Sequence, residues 1–568
     1  MHRCLLVPEL VNHIIGFISE EISASVRGSD CGQDFERTEL DTLARMARTC
    51  RAFSVPALNQ LWKKLPWFSP LLKLFPKDCW FTQRHYSRTF PNCCRVELLF
   101  VQNIQLVRED WERFDYYARR VRSLTVGSKF EPYIIGLASV LEPLHLAAKV
   151  PKFPRLRELT WASDYSEFPH LNDFLFRSIT HLSLTLFQYR ASTTPEDVHN
   201  KIWASLPTRC PKITSMHLRK VGIYEPFLPP LKVDISKFKL LRKLSLRTPL
   251  PSPEALSLIG DMPFLEALSF NIESHCDAVQ HLPLNRPIFG ALRDLKIAET
   301  TLENIKIVED FLRKIHRTKL VSLEICTDNH RSDAPASIAR LLLAIANFKS
   351  LQRLHYTHRT SPAADLWDIS LEPILSLGGL LDLKLKLKPV MMDDALIASI
   401  VDAFPLLRTL SLQEYSGTSQ FTLAGLLPLV IKCRHLEKLS LNNICAATLP
   451  NASQLASVAS LSPTSGLASL AVGHSIPVNV STVAAVLAVF FPKLRRITPY
   501  LSCADTANSW AEVTKLLKAE YAMQIEDKCI RRVDDRKRRF WCAGEMNLIS
   551  SIFHLHPQAP LYDERDED

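Results

Sequence analysis

The sequence predicts a mixed α/β solenoid, curved, with short parallel strands along its concave side and helices along its convex side, preceded by a small all-α module. Three observations carry that expectation. A short phrase, L-x-x-L-x-L or a close aliphatic variant, recurs fourteen times from residue 96 onward, about 29 residues apart on average. Many copies follow an amphipathic helical stretch and a proline-bearing break. Residues 5–65 lack the phrase and read as helices instead.

The first element is the helical module, residues 1–65. Pro8-Glu9 opens a helix, because proline in the first turn loses no hydrogen bond and an acid there meets the helix dipole. Leu10, Ile14, Ile15 and Ile18 follow at helical spacing and are expected to form one apolar stripe. A polar insert from about Ser19 to Asp41 is expected as a flexible loop. Leu43 to Phe53 and Pro56 to Leu65 then supply further apolar positions, among them Cys50, Phe53, Ala57, Leu61 and Trp62.

This arrangement resembles the F-box family, which reads as a leucine-proline-glutamate start, an isoleucine-bearing first helix, a helix ending in cysteine-x-x-phenylalanine or tryptophan, and a closing leucine-tryptophan. Val7 stands where the family has leucine, and the insert 19–41 is longer than common. The resemblance implies a three-helix module docking the Skp-family adaptor of a cullin–RING ubiquitin ligase. The positions it implies are Pro8, Glu9, Leu10, Ile14, Ile15, Cys50, Phe53, Leu61 and Trp62. An amphipathic module of this size carries more apolar surface than it can bury, which suits a partner groove. From the residues alone, 1–65 can also be a helical cap that shields the first repeat.

Residues 66–120 are expected as a linker and helical or N-terminal capping region. The run Phe114 to Leu124 is similar to the junction in many fungal F-box proteins, where a short helix leads into the first clear strand. The repeat array is expected over 121–506, with an alternative start near 96. Copies such as Leu156-Arg-Glu-Leu159-Thr-Trp161, Leu241-Arg-Lys-Leu244-Ser-Leu246 and Leu436-Glu-Lys-Leu439-Ser-Leu441 alternate as half-buried strands do. Helices are expected after Ser252-Pro253 and over 336–346, 394–403 and 482–490; Phe404-Pro405 and Phe491-Pro492 break them. The phrase and its spacing resemble leucine-rich repeats. One repeat cannot stand alone: a fully buried aliphatic side chain contributes about 1.5–3 kcal/mol, whereas ordering each residue's backbone costs about 1–2 kcal/mol. Burial between neighbouring repeats is therefore required. The asparagine or cysteine that commonly follows the phrase is replaced by Asp164, Pro249, Thr300 and Tyr415, so irregular turns and uneven curvature are expected.

Side chains between the framework leucines face outward and are the candidates for target binding: His217, Arg219, Lys243, Arg247, Lys296, Arg353, His355, Lys384, Lys386 and Lys438. Basic residues dominate this set, so an acidic or phosphorylated protein target is expected. Over the whole chain, 69 basic and 59 acidic residues leave a net charge of +10 in 568 residues, which makes no claim on nucleic acid or membrane.

The fourteen cysteines form no C-x-x-C pair. Pro8, Glu9, Asn12 and His13 interrupt the apolar N-terminal run, and no stretch reaches the roughly 18 apolar residues of a membrane span. A reducing compartment, cytoplasmic and/or nuclear, is expected. Asn451-Ala-Ser453 and Asn479-Val-Ser481 match the glycosylation pattern and are expected to stay unmodified. No nucleotide-binding, zinc-protease or nucleophile-elbow motif occurs, so no catalytic residue, metal or cofactor is expected. The resemblance assigns ubiquitin chemistry to partner enzymes and leaves this chain the substrate-recognition subunit. The second reading is a leucine-rich-repeat scaffold or inhibitor with no ligase role. A third, a GTPase-activating repeat protein, needs a loop arginine poised at a nucleotide site, and nothing marks one. Residues 507–546 are expected as a C-terminal helical cap, and 547–568 as an acidic, disordered tail. Within the cap, Arg531 to Arg539 reads as a solvated helix face rather than an import signal, because Asp534 and Asp535 interrupt it.

Overall fold

The computed structural model describes residues 7–519 apart from connecting stretches, of which 136–152, 223–234 and 273–288 are the longest; the expected tail, the Arg531–Arg539 run and the rest of the expected cap lie outside the described residues. The chain is mixed α/β and built on extensive parallel sheet, an arrangement compatible with a repeat solenoid. It divides into two compact units, Met1–Ser361 with Ile369–Gly379, and Pro362–Asp368 with Leu380–Asp568.

The first unit opens with α1 (Pro8–Ser25), α2 (Gly32–Thr49) and α3 (Arg51–Leu61). Proline does start α1. The loop expected at 19–41 is instead the second half of α1 and the first half of α2, with 26–31 outside the described residues. Glu20, Glu21, Glu36, Arg37 and Glu39 are good helix formers, so polarity there suits a helix as well as a loop. The three helices close on Val11, Ile15, Leu43 and Ala57, with Ile18, Met46, Ala47, Phe53 and Leu61 packed around them. The single stripe expected on α1 is therefore two stripes. Ile15 and Ile18 face inward with Val11, whereas Leu10 and Ile14 face solvent.

After α3 come β1 (Lys64–Leu65), α4 (Ser69–Leu72), β2 (Trp80–Tyr86), β3 (Cys94–Phe100) and α5 (Arg108–Ala118). The copy of the phrase at Val96 lies in β3, which pairs antiparallel with β2 and parallel with β5 (Tyr133–Ile135) in a separate three-stranded sheet. The copy at 96 thus lies outside the main sheet; an antiparallel strand has the same side-chain period as a repeat strand. Residues 66–120 carry the helices α4 and α5, and aromatic side chains of this stretch are packed. Phe75 stacks on Phe114, Phe114 meets Phe153, and Phe153 stacks on Phe174 with centroids 5.5 Å apart, beside the buried Trp161.

The main sheet of this unit starts with β1 beside β4 (Ser123–Val126). It runs through β6 (Glu158–Asp164), β7 (His181–Gln188), β8 (Ser215–Gly222), β9 (Lys243–Arg247), β10 (Ala267–Ile272), β11 (Asp294–Thr301) and β12 (Ser322–Asn329) to β13 (Arg353–Thr360). All neighbours are parallel, and the framework positions stack in register: Leu124, Leu159, Leu182, Met216, Leu244, Leu268, Leu295, Leu323 and Leu354. One carbonyl per repeat ties each strand to the next. The Arg122 carbonyl accepts from the Arg157 and Glu158 amides at 2.8 and 2.9 Å, and the Arg157 carbonyl accepts from Thr180 and His181 likewise. The Lys63 carbonyl plays the same part towards Arg122 and Ser123, so the three-helix module is hydrogen-bonded to the sheet as its first member. At two residues β1 is too short to show alternation in the sequence.

Turns are irregular, with register shifts at β10–β11 and β11–β12. Where an asparagine ladder is missing, a different buried polar row appears. Thr300, Thr327 and His358 are in register, all buried, and Thr327 Oγ1 lies 2.8 Å from His358 Nδ1 and 3.2 Å from the Tyr356 hydroxyl.

The second unit repeats the pattern with parallel strands β14 (Asp382–Lys386), β15 (Thr409–Gln413), β17 (Lys438–Leu441), β19 (Ser469–Gly473) and β20 (Arg496–Pro499), and a small outer pair, β16 (Phe421–Thr422) with β18 (Ile444–Cys445). The helices Asp394–Ala403 and Val480–Phe490 match the expected ones and stop at Phe404 and Phe491. The Asn479 side chain caps the latter by accepting from the Thr482 amide, and Asn451 accepts from the Gln454 amide, so both glycosylation-pattern asparagines are engaged in caps. Asp394 accepts from the amide and hydroxyl of Thr422, whose hydroxyl in turn accepts from the Gly425 amide. A Cβ on Gly425 would overlap the Asp394 carboxylate. Gly425→Ala should therefore release that link and destabilise the unit by about 1–3 kcal/mol, checked by urea unfolding; an unchanged midpoint would refute the constraint. Residues 506–519 form the helix that closes the array, with Trp510, Val513 and Leu517 buried.

Candidate functional site

Two surfaces of the first unit stand out. The first is the outer face of α1. Val7, Leu10, Ile14 and Phe17 recur three and four residues apart, and are 40, 46, 41 and 61 % exposed. Their inward neighbours Val11 and Ile15 are fully buried, so this stripe is surplus to the module's own core. Aliphatic and aromatic groups left in water at that spacing are the usual form of a helix that docks in a groove.

Of the nine positions drawn from the family resemblance, the structure leaves Pro8, Glu9, Leu10 and Ile14 exposed. Ile15, Phe53 and Leu61 belong to the module core, and Cys50 is half-buried at the N-cap of α3. Trp62 is turned the other way, packing on Tyr117 of α5 with ring centroids 4.4 Å apart. Phe17, the most exposed of the stripe, is not among the positions the resemblance implies. The signal was available, since Leu10, Ile14 and Phe17 are spaced by four and three.

The second surface is the open face of β8 to β13. Strand alternation sends Leu, Met, Ile and Phe inward and the residues between them outward. Small residues at Ser215, Ser245, Ala267, Ser269 and Ser322 leave a groove of about 410 Å³, bordered by His217, Lys243, Lys296 and Glu324. Its charge is not uniformly basic. Lys296 pairs with Glu324 on the next strand, and Arg353 reaches across one strand to Asp294 at 2.7 Å. Those two of the ten candidates are matched by acids that the sequence reading did not put beside them. His355 is half-buried in the same row as Glu324.

The other charges gather at β8 and β9. Register sets Lys243 opposite Ser215, Ser245 opposite His217 and Arg247 opposite Arg219. Burial holds the His217 pKa below its usual value, and the cations Arg247 and Arg219 push it the same way. The ring is therefore neutral near pH 7. In the second unit, Lys384 is 3.6 Å from Asp382, Lys386 is half-buried, and Lys438 is exposed.

No reactive cluster accompanies these surfaces. Among the described residues there is no group of three His, Cys, Asp or Glu side chains able to hold a metal. Burial raises the thiols of Cys210 to about 12 and Cys433 to about 11, away from the thiolate form a nucleophile needs. Among the described residues no helix is long and apolar enough to cross a membrane. Comparison with known protein families and with curated proteins finds no match to this chain.

Proposed function

We propose that this chain is the substrate-recognition subunit of a Skp–cullin–F-box ubiquitin ligase, with α1–α3 docking the adaptor and a solenoid of leucine-rich repeats holding the target. The observation that carries the proposal is the exposed stripe Val7, Leu10, Ile14 and Phe17 on a module whose own core is complete without it. Chemistry is left to partner enzymes.

Changing Leu10, Ile14 and Phe17 together to aspartate tests the docking face. Burying each side chain contributes about 1.5–3 kcal/mol, so affinity for a Skp-family adaptor should fall more than about a hundredfold in co-purification and calorimetry. Thermal stability should hold, because all three are exposed. Undiminished adaptor binding by a folded triple variant would overturn the proposal. Trp62→Ala serves as contrast: it should lower stability through Tyr117 with little direct effect on the adaptor.

A second reading, a repeat scaffold or inhibitor in which 1–65 is only a cap, is favoured by one observation. The Lys63 carbonyl and β1 cover the first edge of the main sheet. Deleting 1–65 removes that cover under either reading and so cannot separate them, whereas the aspartate variant can.

A further inference from the structure

The carbonyl ladder that ties the strands together also fixes which residues share the strand-entry edge of the first unit. Lys63, Arg122 and Arg157 stand on its first three rungs, because the Lys63 carbonyl accepts from the Arg122 amide and the Arg122 carbonyl from the Arg157 amide. Thr180 and Thr214 follow on the next two. The turns leading into β6, β7 and β8 add Arg155, Arg177 and Lys212. Apart from half-buried Lys63 these cations are exposed, and none of them makes an ion pair with another described residue. Their acidic neighbours in the sequence are Glu158, which belongs to the open-face row, and Asp173, half-buried before β7. A net charge of +10 spread over the whole chain makes no claim on a polyanion, but cations set in a row do.

At about 4.8 Å per strand the row from β1 to β8 is about 19 Å long, which spans about five nucleotides at a rise of about 3.4 Å. Most of its members are arginines, whose forked donors suit phosphate. An aromatic set adjoins the Lys63 end. Trp62 packs on Tyr117 and Tyr117 on Tyr116, which is 41 % exposed with the Arg120 guanidinium 3.9 Å from its ring centroid. Between Arg122 and Lys212 no described large apolar side chain is exposed, so the row offers nothing to insert into a lipid surface.

We infer that the strand-entry edge of β1 to β8 binds a single-stranded polynucleotide, its phosphodiester backbone along the row of cations and a base stacked on Tyr116. A basic track with an aromatic platform is the form that sequence-tolerant single-strand binding takes. A phosphodiester chain carries one charge per nucleotide at near-regular spacing, which matches cations placed strand by strand. The inference does not rest on the adaptor-docking reading.

The test uses the full chain and fluorescence anisotropy of a labelled oligouridylate of about twelve nucleotides, titrated at several salt concentrations. Binding should be saturable, and the logarithm of the affinity should fall with the logarithm of salt at a slope near −0.7 for each cation engaged. The Arg122→Gln, Arg157→Gln double variant should make that slope shallower by about 1.4 and weaken binding more than about tenfold. It should melt as the unsubstituted chain does, because both side chains are exposed. Tyr116→Ala should weaken binding about fivefold or more with no change in the slope. Lys438→Gln with Lys493→Gln, an equal loss of charge from exposed positions in the second unit, should change affinity less than twofold. Tighter binding of oligouridylate than of oligothymidylate sustains the site with RNA as its ligand, and equal affinity sustains it for either single strand. Absence of saturable binding, tighter binding of a duplex, or an unchanged slope in the folded double variant would overturn the inference. So would full binding by Tyr116→Ala, or displacement of the oligonucleotide by polyglutamate or phosphatidylserine vesicles at equal charge. Adaptor binding does not enter this titration, so the two proposals fail separately.

Discussion

Trp510→Ala should cost the second unit about 3–5 kcal/mol, the range for removing a large aromatic from a core. Trp510 is fully buried on the closing helix, and its Nε1 donates to the Ser475 carbonyl at 2.7 Å. Ser475 is itself buried, with its hydroxyl accepting from the Ile444 amide. Alanine would leave a cavity at the end of the array and strip that carbonyl of its donor, adding about 1 kcal/mol. At about 2–4 °C per kcal/mol for a unit of this size, the melting temperature should fall by roughly 10 °C or more. Leu516→Ala on the same helix, where the side chain is partly exposed, should cost less than about 1 kcal/mol. If the two variants melt alike, Trp510 is not the residue that closes the array.

Acid should open the first unit at β12 and β13. His358 is fully buried, and burial lowers its pKa from 6.5 to about 4, against a smaller opposing contribution from hydrogen bonding at Thr327. In the unfolded chain it protonates near 6.5, so between these values the unfolded state binds a proton that the folded state refuses. The stability that depends on neutral His358 is fully present above about pH 6.5, declines as pH falls through that window, and is gone below about pH 4. Its size is about 3 kcal/mol at 1.36 kcal/mol per pH unit. Amide exchange of β12 and β13, measured from pH 7 to pH 4, should show protection falling relative to β6 and β7 once intrinsic exchange rates are removed. His358→Leu should flatten that dependence while lowering stability at pH 7, because Thr327 loses a partner. A slope retained in the leucine variant would place the titrating group elsewhere.

The repeat array was legible in the sequence because its physics is periodic. Strand alternation and helix spacing recur, so each copy confirmed the last. Val96 misled because alternation alone carries no information about a strand's neighbour. The helices of the N-terminal module were legible as apolar runs. Which face of α1 stays outside was not, since Leu10 and Val11 are equally apolar and only α2 and α3 decide between them. The open face was legible residue by residue but not pair by pair. That Arg353 meets Asp294, 59 positions away, depends on register across two strand pairings. The same register leaves Arg219 and Arg247 together.

The two-residue strand β1 has a thermodynamic consequence. Because Lys63, Lys64 and Leu65 are hydrogen-bonded to the edge of β4, the ends of a parallel array cannot fray there without detaching the helical module. A partner that binds only the attached, folded module therefore adds its own binding free energy to the closed state of the first repeat. At a hundred times its dissociation constant that increment is about 2.7 kcal/mol. Occupancy at one end becomes clamping of the array's opening turn, felt as slower amide exchange in β4 and β6, tens of residues beyond any surface the partner touches.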